Sequence, residues 1–375
     1  MRHIAYYISG NGYGHAVRSI EIIKALLAKN PYLFFHIRTT VPSWFFSLNL
    51  KDSYYYAQCE IDVGTVQHDF TEVDKQATLE RVRNLFARKS EIVAEEVQFC
   101  QKNRIELIIG DIPPLAFAIA EAAGLPSVAV GNFSWDWIYE SYAEELPAFD
   151  EIITKIRVHY RQADLLLRLP MHGTMDAFRT IIDIPLVARK AMRKSRDVRR
   201  MLRIEDDDRY LVLVALRPAD VRLIDFSALC KNRKLNLMVI NQEQPIPGVM
   251  NLPQGLIPFQ ELVKAADVVV SKPGYGIVSE CMVNRTPLLY TERKDFREYD
   301  RLVRAIRQND CGYFISLKAF LAGEWQAAIE HLVNLARWQV EASNRGAKIA
   351  AERILQQIGD GAFSADVGKR VVAHF

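Results

Sequence analysis

Twice in this chain a short apolar run breaks into a glycine-bearing turn and passes directly into a helical segment. The first run is residues 4–8, followed by SGNGYGH and then 16–29, where Val17, Ile20, Ile23, Leu26 and Leu27 recur at helical spacing. The second is 267–271, followed by KPGYG and a helix over 276–283. A strand that feeds a helix comes back to its sheet only by a crossover, so its neighbour runs parallel. The chain is thereby restricted to α/β architecture built on parallel sheets.

The same rhythm extends through both halves. In the first, strands are predicted at 34–39, 105–110 and 127–131, with a long polar helical region at about 74–103 and a helix at 115–123. After a basic stretch at 189–203 the alternation restarts, with strands at 210–216, 235–241, 267–271 and 287–290. Helices are predicted near 258–266, 276–283, 324–338 and 344–358. A length of 375 residues suits about two domains. These are predicted at 1–188 and 189–358, each a Rossmann-like doubly wound unit, with a tail at 359–375. Ligands of such sheets bind beyond the carboxyl ends of the strands, and two units in tandem are expected to face each other across a cleft. The residues just after the strands therefore carry the functional interest.

Composition narrows the partners. Half the residues are hydrophobic and a quarter charged, as in a globular protein, and the formal net charge of +3 gives no reason to expect nucleic acid. No stretch approaches the roughly 20 apolar residues that span a bilayer, and the N-terminus turns glycine-rich before a signal-peptide core forms. Cys59, Cys100, Cys230, Cys281 and Cys311 are scattered and form no CxxC pair. That pattern reads as reduced thiols in a cytoplasmic protein, without a structural zinc site.

The first turn presents Gly10, Gly12 and Gly14, a spacing that does not match the dinucleotide fingerprint GxGxxG. His15 stands in the first turn of the helix that follows. The positive end of a helix favours the neutral ring of a histidine, which suits a general base for a sugar hydroxyl. The plainer alternative is a histidine that closes the loop through backbone hydrogen bonds. Asp111 follows the strand at 105–110, and Asn132, Ser134 and Asp136 follow the strand at 127–131. A carboxylate and an amide at adjacent strand ends could hold acceptor hydroxyls, or could cap helices and turns.

In the second turn, Gly274 and Gly276 let backbone N–H groups at a helix start face a diphosphate. Glu280 lies about one helical turn further on, where its carboxylate could accept the hydroxyls of a ribose. Arg297 and Glu298, beyond the next strand, could reach sugar hydroxyls or could be ordinary surface charges.

Taken together, YYISGNGYGHAVRSIEII, DVGTVQ, VGNFSWDWIY, LLLRLP, AFRTIIDIPLVARKAMRKSR and KPGYGIVSE resemble the GT-B glycosyltransferases. Within them the chain is similar to the bacterial N-acetylglucosaminyltransferase of peptidoglycan lipid synthesis. It is more similar still to the glycosyltransferase-like N-terminal region of plant L-arabinokinases. The resemblance spans most of residues 1–315. It implies two facing Rossmann-like domains, an acceptor bound by the first and a nucleoside-diphosphate sugar, UDP-linked, bound by the second. It makes His15 the base or an acceptor-side residue, with Gly12 and Gly14 shaping the loop beside it; Asp111 stands as the other catalytic candidate. Gly274, Tyr275 and Gly276 would meet the donor diphosphate, Glu280 the ribose, and Arg297 and Glu298 the donor sugar. The reaction implied is direct displacement at the anomeric carbon without a metal ion, the nucleotide sugar being a co-substrate and no cofactor being needed.

The chain departs from that family after the strand at 210–216. Leu216-Arg217-Pro218-Ala219-Asp220 stands where a glycine-rich loop is usual, and Arg217 would supply charge in its place. No GxxxxGK[ST] loop is present, so no kinase is expected. Two other functions fit the same architecture: a non-catalytic sugar- or nucleotide-sugar-binding module and a nucleotide-sugar epimerase. Asp206-Asp207-Asp208 reads as a solvated turn. The basic run at 189–203 reads as a solvated helix face that leaves peripheral contact with an anionic membrane open, with Arg189 at the junction of the halves. Trp44-Phe45-Phe46 and Trp135, Trp137, Tyr139 and Tyr142 read as core.

Overall fold

The computed structural model describes residues 1–204, 208–335 and 342–359. Asp206 and Asp207, part of the helix expected at 324–338, and all but the first residue of the expected tail lie outside them.

The first sheet has seven strands: β1 (Arg2–Ile8), β2 (Leu33–Thr39), β3 (Tyr54–Gln58), β4 (Ile105–Asp111), β5 (Ser127–Gly131), β6 (Leu165–Arg168) and β7 (Ile181–Asp183). Their order is β3-β2-β1-β4-β5-β6-β7, and every pairing is parallel. The second sheet has β8 (Tyr210–Val214), β9 (Leu235–Ile240), β10 (Val249–Leu252), β11 (Val268–Ser271), β12 (Leu288–Tyr290) and β13 (Gly312–Phe314). Its order, β10-β9-β8-β11-β12-β13, is again parallel throughout. Both are doubly wound. Strand order reverses between β1 and β4 in one and between β8 and β11 in the other. Loops leaving such neighbours diverge to opposite faces and open a crevice at the carboxyl edge.

Central strands are the ones that read as apolar runs, because helices cover both their faces. Thus β5 and β11 are buried along their whole length. The edge strands β3 and β13, and the short β6, β7 and β10, were not expected. At β3 and β13 no residue is buried, so no hydrophobic period marks them. The long helix expected at 74–103 is two, Lys75–Ala87 and Lys89–Lys102, with Arg88 out of helical geometry between them. Of the basic stretch only Ser195–Met201 is helical. Arg199 is held by the carbonyl of Ala265 and by Asp267, whereas Lys190, Arg193, Lys194, Arg196 and Arg200 are exposed.

The two compact units do not follow the single cut expected at 188/189. One comprises 1–64, 75–185 and the described residues from 345 on; the other comprises the described residues of 65–74 and 186–344. Helix Gly346–Gly359 buries Ala350, Ala351 and Ile354 within the first unit. Lys29 Nζ reaches Glu352 at 3.0 Å and Arg2 Nη1 donates to the carbonyl of Ile358. In the other direction, Phe70 enters the core of the second unit, 1% exposed, packed with Val214, Val270, Leu289, Phe320 and Trp325. An amphipathic period shows that a helix has a buried face but not which sheet takes it, so neither exchange was legible.

Of the aromatics, Trp135, Trp137, Tyr139 and Tyr142 are core, as expected, and so are Phe45 and Phe46, while Trp44 is 38% exposed. None of the five cysteines is in a disulfide, and no helix among the described residues is long and apolar enough to cross a membrane.

Candidate functional site

Beyond β1 the chain runs through Ser9–Gly12 and enters helix Tyr13–Lys29. Gly12 caps that helix at φ +92°, a backbone state that only glycine adopts without strain, and the helix start has no side-chain cap hydrogen bond, with open space where a Cβ would stand. His15, Arg18 and Ser19 are three and four residues apart, so they share one helical face. That face meets the end of β4, whose last residue, Asp111, is paired with Ile8 across the reversal point of the sheet.

The contacts there are dense. His15 Nδ1 is 2.8 Å from Asp111 Oδ1. Arg18 grips the same carboxylate with two bonds, Nε to Oδ2 at 2.7 Å and Nη2 to Oδ1 at 2.6 Å, and Ser19 Oγ donates to Oδ2 at 3.1 Å. Arg18 Nη1 donates to Asn132 Oδ1, just past β5, at 2.7 Å. Burial alone would raise the fully buried Asp111 carboxyl. The charge and hydrogen bonds of Arg18, joined by His15, outweigh it and hold the group below its ordinary range. Asp111 is thus an anion. Arg18 Nη2 also lies 2.9 Å from His15 Nδ1, but a guanidinium only donates and the carboxylate only accepts. Nδ1 can therefore bond only one of the two, and we assign the tautomer with the proton on Nδ1, which pairs it with the ionised Asp111 at the shorter distance. That leaves the lone pair on Nε2, which has no partner among the described residues.

Sequence reasoning offered His15 and Asp111 separately as catalytic candidates, and the structure joins them. It missed Arg18, whose signal was its place three residues after His15. It also missed Asp62, which accepts from Trp135 Nε1 at 2.9 Å; burial raises that carboxyl against the opposing pull of Ser9, His15, Trp135 and the Gly10 N–H. Asn132 and Ser134, expected to hold acceptor hydroxyls, are both fully buried, and Asn132 instead orients Arg18. Gly14 lies inside the first helical turn, half-buried.

The second unit repeats the plan with the opposite charge. Three strands adjacent in its sheet, β8, β11 and β12, each release a cation just past the carboxyl end: Arg217, Lys272 and Arg293. Arg217 Nε and Nη2 donate to the fully buried Asp220 at 2.8 and 2.9 Å. Lys272 Nζ is 3.7 Å from Asp220 and 5.6 Å from the centre of the Phe70 ring. Burial, then Arg293, pushes Lys272 down to about 7; Asp220 opposes this and Arg217 adds to it. Arg293 packs over the Phe296 ring at 3.7 Å and lies 3.8 Å from the buried Glu298. Among the residues expected on this side, Arg217 is placed with these cations. Glu298 is turned to Arg293, and Arg297 caps helix Glu298–Gln308. Lys272 and Arg293 were missed, although each stands where a strand ends.

Gly274 precedes helix Tyr275–Asn284 in extended backbone, and a Cβ added there would meet nothing within 4 Å. Its lack of a side chain leaves the helix start open instead of relieving strain. Tyr275 is buried, and its hydroxyl accepts from the Val187 N–H at 3.4 Å. The expectation of a carboxylate at Glu280 open to a ribose is corrected. Glu280 is 2% exposed and its Oε1 is bound by Arg189 Nε at 2.5 Å, with that guanidinium 5.4 Å from the Phe259 ring centre. Burying a carboxylate demands a partner, and the junction arginine provides it. A cavity of about 280 Å³ at the other end of the same helix, lined by Lys190, Lys264 and Arg285 among others, contains none of the strand-end residues.

No family model matches the chain. It is 30% identical over 371 residues to L-arabinokinase of Arabidopsis thaliana, a match that takes in 95% of this chain and 34% of that protein. The chain thus spans about a third of the length of that relative. Among solved structures it is similar to the glycosyltransferase of kitacinnamycin, with TM-score 0.64, 14% identity and coverage of 95% of this chain and 98% of that one. It is also similar to a UDP-glucosyltransferase from Polygonum tinctorium capable of glucosylating indoxyl, with TM-score 0.61, 11% identity and coverage of 96% and 98%. With two doubly wound parallel sheets of seven and six strands, each reversing its order where the notable residues gather, the chain has the GT-B fold of these glycosyltransferases.

Proposed function

We propose that the protein transfers a sugar from a nucleoside-diphosphate sugar, UDP-linked, to a hydroxyl of an acceptor, without a metal ion. One observation carries this reading: the imidazole of His15 is fixed by an ionised, buried Asp111 at the reversal point of the first sheet, with Nε2 left to take a proton. In the step proposed, the acceptor oxygen attacks the anomeric carbon as its proton passes to Nε2. The electron pair of the anomeric C–O bond goes to the terminal phosphate of the leaving nucleoside diphosphate. Asp111 stabilises the imidazolium that forms, and Arg18 keeps Asp111 in register.

The leaving charge would be met in the second unit by Arg217, Lys272 and Arg293 and by N–H groups at the start of helix Tyr275–Asn284. Three cations at the reversal point there support an anionic ligand, and they offset the missing glycine loop. The UDP donor is supported by the name of the Polygonum enzyme. Arg297 and Glu298 stay assigned to the donor sugar, and Gly12 and Gly14 to the acceptor side.

Calorimetric titration with a panel of nucleotide sugars, followed by donor hydrolysis in EDTA, tests the reading. Binding is expected, with slow hydrolysis that falls about 100-fold or more in His15→Ala and about tenfold or more in Arg217→Ala, which removes one of the cations that meet the leaving charge. Binding with no turnover on any acceptor would leave a nucleotide-sugar-binding module. No binding by the intact fold would end the assignment.

A further inference from the structure

Residues 65–74 come from the first half of the sequence but fold with the second unit, anchored by Phe70. Its ring packs against Phe320 with centroids 6.0 Å apart and lies beneath Lys272 Nζ. The residue before it, Asp69, is therefore held beside the cations at the reversal point of the second sheet. Asp69 Oδ1 accepts from both the N–H and the hydroxyl of Thr71, at 2.7 and 2.6 Å, which fixes the turn. Those bonds from Thr71 hold the carboxyl below its ordinary value, and the fields of Arg217 and Lys272 add to the effect against some burial. Oδ2 makes no hydrogen bond among the described residues. An anion thus stands within the fields of Arg217 and Lys272, where a phosphate ligand would find repulsion as well as attraction.

We propose that Asp69 is a specificity-determining residue that lets this site distinguish a nucleoside-diphosphate sugar from the free nucleoside diphosphate. The inference rests on the donor reading given above. A donor's terminal phosphate is esterified, and next to it stand sugar hydroxyls that donate to a carboxylate. The free diphosphate carries about one more negative charge on that same phosphate and has no sugar hydroxyl next to it. Asp69 accepts hydrogen bonds from the first and repels the second.

The test uses the full chain and Asp69→Asn, whose amide oxygen can still accept from Thr71. Dissociation constants are measured by calorimetry for UDP, UMP and the tightest-binding UDP-sugar of a panel. The ratio of UDP-sugar to UDP affinity should fall about tenfold in Asp69→Asn, through tighter UDP and weaker UDP-sugar, with UMP changing least. Equal shifts of all three ligands, or none, would overturn the role of Asp69 and leave the donor reading standing. Failure of the unaltered protein to bind any nucleotide would remove both.

Discussion

A lysine that sits at the end of a strand, mostly buried and beside two arginines, is held short of its normal proton affinity. Lys272 is brought down to about 7, first by burial and then by Arg293. In the folded protein the ammonium form is disfavoured relative to the unfolded chain, so between roughly 7 and the ordinary value of about 10.4 the folded state holds less proton. A phosphate ligand reverses this by favouring the cation. Nucleotide affinity should therefore weaken as pH rises above 7, by at most about tenfold per unit over the first units. Titrations in buffers of different ionisation enthalpy should detect proton uptake near pH 8. In Lys272→Met the affinity should be lower and this uptake lost; uptake that persists would place the titrating group elsewhere. At this scale Asp111 and Arg217 were legible because each follows an apolar run directly, and His15 because it opens the helix after the glycine turn. Arg18 was not, since its partner Asp111 lies 93 residues away and only the strand register of β1 on β4 brings them together.

Helix starts decide what the strand-end turns can accept, and the two important ones are built differently. Gly12 needs its positive φ although space for a methyl is free; Gly274 has ordinary extended backbone and equally free space. Gly12→Ala should lower stability by about 1–2 kcal/mol through backbone strain, read as a loss in denaturation midpoint. Gly274→Ala should leave stability within about 0.5 kcal/mol and instead weaken nucleotide binding, because the methyl covers the helix N–H groups. Stability loss at Gly274 with binding intact would contradict the role given to that turn. Elements whose burial covers both faces could be read from sequence, as at β5 and β11. Those with one covered face or none, as at β3 and β13, carry no apolar run to read.

Across the whole molecule, sequence order and unit membership part company at two places. Phe70 lies early in the chain, yet it fills the core of the unit made mostly from the late part. Phe70→Ala should therefore destabilise the second unit by about 3–5 kcal/mol, since a buried ring is exchanged for a cavity. Hydrogen exchange would localise the loss: amides of β8, β11 and β12 should exchange faster, and equal loosening of β1 and β4 would argue against it. The double α/β repeat was legible from the alternation of apolar runs and helices, because crossover chemistry leaves few alternatives. The exchanged segments were not, since a short stretch such as TVQHDFTEVD announces neither its own structure nor its destination.

That loan of residues has a practical consequence for recombination. A chimera joined near residue 188 would pass on nearly all of one lobe while leaving its aromatic plug, and the acid that tunes its ligand, with the old parent. The terminal helix would travel the other way, arriving beside a partner surface it never evolved against. Grafts that keep each lobe whole need four seams instead of one: at 64/65, 74/75, 185/186 and 344/345.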